Sequence, residues 1–517
     1  TEIYTLSLHD ALPICQGRWA DNLGIDLNGG TFVLHGAGNE QTFETIGDVT
    51  ARKAGGLQVF RNSTASSVQL NVGDVSRADR GVLTLSYNNG FLGLPATTPL
   101  SYERITAQSI AGLPIQLNGT TNNGSGVVNG GMVVPWIVDR TANTFLGYDP
   151  TGAGTGFQPL LGVASPSAGQ LAYSQVVTGG SFGTGVGAND IIDLSTAAKT
   201  LNANPTVYAL RSNQNLTPTA SFNTVTINSG GLILTGGTLN PTGAISPGVV
   251  APMTVNFGPT GTDEAFIFVG AATSAIQAQI NAAGLTKFGP NQLNILSINP
   301  GITDTIVVNE GTLYVRVPVA GGGSGAPVGQ ALNGQDVILN SGALVLEPFV
   351  ANAAGNATEL ASNVRATGLF DGHIYVTNNA TLGNNGQGQY TRIQDLTIAN
   401  AATATDMNGN GNVTLSLQSG LWVRGTTTLA PEAVINSSFN GFSQSTLAGL
   451  VSGTGGVFKH GNGAITMLNP NNDYGGGTTI WGSTVHTASS TIASAIRGVG
   501  TPFGTGDISI MPGGMLR

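Results

Sequence analysis

Short runs of period-2 alternation recur along the chain, each placed directly after a turn of small residues. Apolar positions alternate with another side chain at Gly30-Thr-Phe32-Val-Leu34, Gly81-Val-Leu83-Thr-Leu85 and Gly230-Gly-Leu232-Ile-Leu234. The same unit returns at Gly311-Thr-Leu313-Tyr-Val315 and Gly342-Ala-Leu344-Val-Leu346. Alternation over four to six residues after a Gly/Asn/Ser turn predicts a short, half-buried strand. Gly and Asn recur before each strand because a turn that needs positive φ admits Gly freely and Asn at low cost. Helical periodicity is nearly absent; the best candidate is Ala271 to Ala283, and it is short and flanked by glycine.

Strands this short cannot bury a face alone. Stacked as coils they share one core and pair every edge except at the two ends. The expected fold is therefore all-β, a parallel β-helix or β-solenoid forming a single elongated domain. Composition supports this. Gly contributes 77 of 517 residues, and 18 Lys+Arg with 27 Asp+Glu leave the chain 9% charged with net charge −9. Ordinary domains carry about 25% charged residues, so Gly, Asn, Thr and Ser have replaced charge here. A nucleic-acid partner is not expected, because too few basic residues exist to form a counterion-displacing stripe. No run reaches the ~18 apolar residues of a membrane helix, so no membrane insertion is expected within these residues. One cysteine excludes a disulfide scaffold and a Cys-based metal cage.

An internal duplication is legible. Gly284-Leu-Thr-Lys287-Phe-Gly289 with Leu293-x-Ile295 matches Gly456-Val-Phe-Lys459-His-Gly461 with Ile465-x-Met467. Downstream, Asp336-Val-x-Leu339-x-x-Gly342-x-Leu344 matches Asp507-Ile-x-Ile510-x-x-Gly513-x-Met515 at nearly the same offset. Equivalent paths are expected, with Lys287 and Lys459 at equivalent turns and Leu344 and Met515 facing the core. The chain accordingly divides into 1–15, 16–250 (irregular coils with inserted loops), 251–350 (first repeat copy), 351–440 (intervening coils) and 441–517 (second copy, ending in mid-motif).

Residues 1–14, TEIYTLSLHDALPI, match nothing else in the chain. They resemble the conceptual translation of a sequencing-adapter oligonucleotide. A signal peptide is the competing reading, but the segment lacks a basic n-region and acids interrupt its apolar stretch. Residues 1–15 are set aside from the fold as an artefact, and the native N-terminus is expected to be missing.

Gly453-Thr-Gly-Gly456-Val-x-Lys459-x-Gly461-x-Gly463-x-Ile465-x-Met467, followed by Asn472-x-Tyr474-x-Gly476-Gly-Thr478-Thr-Ile480, resembles the autotransporter-associated β-strand repeat of large bacterial surface and secreted proteins. The copy at Gly284 keeps the Gly-Leu-x-Lys start and has lost the Asn-x-Tyr-x-Gly-Gly half. Val134-Pro-Trp136-Ile-Val-Asp139 to Phe145-Leu-Gly-Tyr148 is similar to a non-repeat block found between such repeats. The resemblance implies a right-handed parallel β-helix, exported to the outer cell surface or beyond, and it implies no catalytic, cofactor-binding or metal-binding residues. Multivalent contact with surface glycans or neighbouring cells is the expected partnership, made by a monomeric rod.

The rival reading is a β-helix polysaccharide lyase or glycoside hydrolase, which needs two carboxylates at fixed separation. Asn471-Asn-Asp473 supplies the Asn-x-Asp of the polygalacturonase pattern, but the Asp-Asp and Gly-His-Gly elements are missing. His35, His373, His460 and His486 show no metal-ligand spacing, and His9 lies in the adapter-like segment. Asp371 stands near His373 without a nucleophile motif. Asp406-Met-Asn408-Gly-Asn410-Gly411 opens like an EF-hand loop but carries Leu417 at position 12 instead of Glu. Gly185-Val-Gly187-Ala-Asn189-Asp190 resembles half of one calcium coil, and Gly183-Thr-Gly185-Val-Gly187 a dinucleotide loop without its helix. Turns are the better reading of all three. Trp136, Trp422 and Trp481 are candidate sugar platforms, with core packing the better reading. The expectation is that residues 16–517 hold no catalytic centre.

Overall fold

The structure is a computed structural model describing residues 3–4, 19–63, 66–88, 92–93, 102–117, 121–122, 128–129, 131–150, 156–162, 170–240, 253–316, 331–347, 369–376, 380–383, 391–398, 414–417, 421–431, 434–437, 444–459, 464–480, 491–495 and 500–516. Its described elements are all β, with no α-helix among the described residues. All five of the glycine-led runs form strands: Thr31–His35, Val82–Tyr87, Gly231–Leu234, Thr312–Arg316 and Gly342–Glu347. Ala271 to Ala283 is not helical. It forms the strands Ser274–Ile276 and Gln279–Ala282, because Ala278, Ile280 and Ala282 alternate into the core.

Two compact units share the chain. The first is Thr1–Leu239 with Val255–Ser274 and Phe288–Asn291; the second is Asn240–Thr254 with Ala275–Lys287 and Gln292–Arg517. In the first unit, Thr31–His35, Ala54–Phe60, Val82–Tyr87 and Ile137–Asp139 lie parallel in one sheet. A hairpin closes it, with Ile137–Asp139 antiparallel to Thr144–Asp149, which pairs in turn with Gly156–Pro159. A second sheet sets Ile25–Leu27, Val49–Ala51 and Gln41–Thr45 parallel beside the 11-residue strand Ser67–Arg77, followed by Glu103–Ile110. Further on, the chain visits three parallel ladders in rotation. Ile191–Leu194, Lys199–Leu201 and Thr206–Val207 are followed, on the same three ladders, by Ala209–Ser212, Leu216–Thr217 and Thr224–Ile227.

The second unit is built mainly on two long parallel ladders. One runs from Gly284–Phe288 through Ile306–Val308, Val337–Leu339 and Leu369–Val376 to Ala464–Met467, Thr491–Ala495 and Gly514–Leu516. The other runs from Gln292–Ile295 through Thr312–Arg316 and Gly342–Glu347 to Gly456–Lys459, Thr478–Ile480 and Ile508–Ile510. In-register parallel pairing stacks like on like, so Leu293, Leu313 and Leu344 form one fully buried row. The turns recur as well. Asn309-x-Gly311 and Asn340-x-Gly342 occupy successive coils, their glycines at φ 70° and 84°. The Asn340 amide donates to Asn309 Oδ1 at 2.7 Å, and both side chains are buried. A side chain on Gly342 would strike the Gly311 carbonyl as well as strain that φ.

At the N-terminus, Ile3–Tyr4 pairs in parallel with Thr31 and Phe32, a contact the adapter reading does not require.

Candidate functional site

Alternation along the second sheet of the first unit sorts its chemistry by side. Thr42, Glu44, Val68, Leu70 and Ile105 are buried, while Phe43, Thr45, Gln69, Asn71, Arg104 and Thr106 face outward and are half-buried. Register aligns the outward set into rows roughly 4.8 Å apart: Phe43, Gln69 and Arg104 in one, Thr45, Asn71 and Thr106 in the next. Asn71 Nδ2 donates to Thr45 Oγ1 at 3.3 Å, and Thr106 Oγ1 donates to Asn71 Oδ1 at 2.7 Å. Arg104 Nη1 donates to Gln69 Oε1 at 3.3 Å, its guanidinium 4.4 Å from the Tyr102 ring centroid. A third row follows. Asp48 Oδ1 accepts from Asp74 N, and Asp74 Oδ1 accepts from Gly112 N, both at 2.8 Å, and from Ser109 Oγ. At its margin the Thr50 and Ser76 hydroxyls lie 3.2 Å apart, and Arg52 clamps Asp26 and Asp79 from the flanking coils. The result is an outward array of hydroxyl, amide, carboxylate and guanidinium groups aligned across successive strands.

Inside, several ionisable groups are buried. Asp139 is 0% exposed, and burial pushes its carboxyl up to about 7 against the lowering effect of the Ala142 and Thr141 amides and of the nearby Tyr87 phenol. Glu103 is 1% exposed and accepts from Arg61 N (3.1 Å) and Asn88 N (3.2 Å). Both carboxylates act on the Tyr87 phenol, whose pKa burial raises. Both of these carboxylates are buried. Asp193 pairs with Arg211 at 2.8 Å, and Arg211 Nε donates to Asn143 O at 2.9 Å.

Three lysines are also buried. Lys199 Nζ donates to the Ser195 and Ala197 carbonyls at 2.8 and 2.7 Å, and Lys287 Nζ to the Glu310 carbonyl at 2.6 Å. Desolvation lowers Lys199, lowers Lys287 to about 7 although Glu310 opposes it, and lowers Lys459 to about 8. The duplicated motif predicts turns for Lys287 and Lys459. The structure puts both inside strands with their side chains in the core.

The motifs read as turns resolve as follows. Asn472, in Asn471-Asn-Asp473, is fully buried and accepts from Val451 N at 2.8 Å while donating to Pro502 O at 2.7 Å; Asp473 faces outward. The Tyr474 ring is 0% exposed with its hydroxyl on Thr478, its pKa raised to about 12 by burial. Asp190 Oδ2 accepts from Gly187 N and Gln175 Nε2, both at 2.8 Å, closing the 185–190 turn. The 183–187 glycines lead into the strand Ile191–Leu194 and into no helix. Trp136 is 6% exposed and part of the core. His35 packs on Phe60 with centroids 4.7 Å apart. His373 pairs in register with Asp395, whose Oδ1 accepts from Thr426 N at 2.7 Å. Residues 406–411, His9, His460, His486 and Trp481 lie outside the described residues, and Trp422 is described by its strand alone.

The duplication is only partly realised in space. Gly284–Phe288 lies in the first long ladder, whereas Gly456–Lys459 lies in the second, so the two copies run half a coil out of phase. Leu344 is 0% exposed as expected, but Met515 is 37% exposed. Met515 stacks on Ile492 on one side only, because Gly514–Leu516 is the outermost strand of its ladder.

No family model, curated protein or solved structure matches this chain.

Proposed function

We propose that this chain is a non-enzymatic, adhesive stretch of a right-handed parallel β-helix, exported to the outer surface of a bacterium and similar to an autotransporter passenger. The observation that carries the reading is the in-register stacking of outward rows, Phe43/Gln69/Arg104 and Thr45/Asn71/Thr106, over a closed apolar core. Such rows set several weak hydrogen-bonding groups at strand spacing, and many weak contacts made together give avidity. Glycans, with hydroxyls at comparable spacing, suit that array. The repeat-like sequence at 453–480 supports export and surface display by resemblance.

The test is adhesion of beads coated with the protein at high density to a glycan array and to bacterial cells. Retention is expected for coated beads and not for the monovalent protein, and it should fall at least about tenfold when Gln69, Asn71, Arg104 and Thr106 are replaced together by Ala. Equal retention of that variant would overturn the reading. Release of reducing sugars from pectin-like polymers would replace it with a lyase or hydrolase.

A further inference from the structure

The hairpin Ile137–Asp139/Thr144–Asp149 is fastened around its turn. Arg140 N donates to Leu85 O at 2.9 Å, Thr141 Oγ1 accepts from Tyr87 N at 3.2 Å, and Asn143 O accepts from Arg211. Thr144 Oγ1 shares a 2.6 Å hydrogen bond with Tyr173 OH. Asp139 stands at the root of this turn. Its Oδ1 accepts from Ala142 N at 2.8 Å, but no well-formed hydrogen bond reaches Oδ2, which is fully buried.

We infer that this turn is a pH-operated latch, seated while Asp139 is a neutral carboxylic acid and lifted when it ionises. A buried carboxylate with one oxygen unsatisfied is costly, whereas the neutral acid is far cheaper to bury. The groups acting on Asp139 are the Tyr87 phenol from the neighbouring strand and the Ala142 and Thr141 amides from the turn itself. Among the charged groups nearby, Glu103 acts on Tyr87, and Arg211, paired with Asp193, holds the Asn143 carbonyl. None of these supplies a cation to the carboxylate. The turn above Asp139 is one layer thick, with Arg140, Ala142 and Asn143 half-buried and Thr141 exposed. An ionised Asp139 reaches water by lifting residues 140–143, which gives up their hydrogen bonds to Leu85, Tyr87 and Arg211. The affinity of Asp139 for its proton, raised to about 7 by burial, puts the transition near neutral pH.

The experiment follows amide exchange, corrected for intrinsic rate, together with the 13Cγ shift of Asp139 in the whole chain. Between pH 5.5 and 8.5, protection of the Arg140 and Ala142 amides is expected to fall at least about tenfold, while Thr226 N, bonded to Pro205 O, holds steady. The Asp139 shift should titrate near pH 7, and Asp139→Asn should flatten the profile of both turn amides. Titration of Asp139 below pH 5, a flat wild-type profile, or an unchanged fall in Asp139→Asn would overturn the latch. The wild-type titration decides the matter alone should the variant not fold.

Discussion

Asn299 and Asn472 perform the same structural task at two places in the second unit. Asn299 accepts from Ile280 N at 2.8 Å and donates to Ala331 O at 2.7 Å; Asn472 accepts from Val451 N and donates to Pro502 O at the same two distances. Each side chain is fully buried and ties together three successive passes of the chain. The bridge survives in the first repeat copy although the Asn-x-Tyr half of the motif has been lost there. Either asparagine replaced by Ala orphans one amide and one carbonyl in the core. A loss of about 2–4 kcal/mol is expected for each, measured by urea denaturation. Substitution of the exposed neighbour, Asn471→Ala, should cost less than about 0.5 kcal/mol.

Asp139 makes stability fall with rising pH. Its folded-state proton affinity is raised from 3.8 to about 7, so between these values the folded chain holds a proton that the unfolded chain has lost. Its contribution is complete below pH 4 and gone above about pH 7. Thermal melts of Asp139→Asn should show a shallower decline across that window than the wild type.

Lys287 acts in the opposite sense, over a higher window. Its folded-state value drops from 10.5 to about 7, so between these values the unfolded chain holds the extra proton and stability rises with pH. Lys287→Met removes a buried charge at similar volume. The variant should melt above wild type at pH 6, and the difference should shrink as pH rises from 7 toward 10.5, the window in which the folded wild type no longer carries a buried charge.

Gly342 is fixed by both φ and space. Gly342→Val combines a φ of 84° with a collision against the Gly311 carbonyl, and a loss of more than about 2 kcal/mol is expected. Gly38, with nothing within 4 Å of an added Cβ, should accept Ala within about 0.5 kcal/mol. Comparing the two variants by chemical denaturation checks the turn geometry.

Removal of residues 1–15 tests the adapter reading directly. On the adapter reading the melting temperature stays within about 1 °C, the one pairing given up being that of Ile3–Tyr4 with Thr31–Phe32 among the described residues. A drop of several degrees would show that the segment belongs to the fold.

Strand formation was local information. Leu232, Leu313 and Leu344 alternate after glycines whose left-handed φ values, at Gly230, Gly311 and Gly342, the sequence could signal by residue type alone. The all-β class and the turn nature of Asp190 followed from the same short-range rules. Phase was different. Gly284–Phe288 and Gly456–Lys459 share a motif yet fall on different ladders, because loops of varying length between strands set how far around a coil the chain has travelled. The buried state of Asp139, Lys199, Lys287 and Lys459 was equally hidden: a charged residue in a strand looks the same in sequence whether its side faces water or core. Partners from distant coils, such as the Glu310 carbonyl for Lys287 and the Pro502 carbonyl for Asn472, decide whether it can stay inside, and only the folded register brings them within reach.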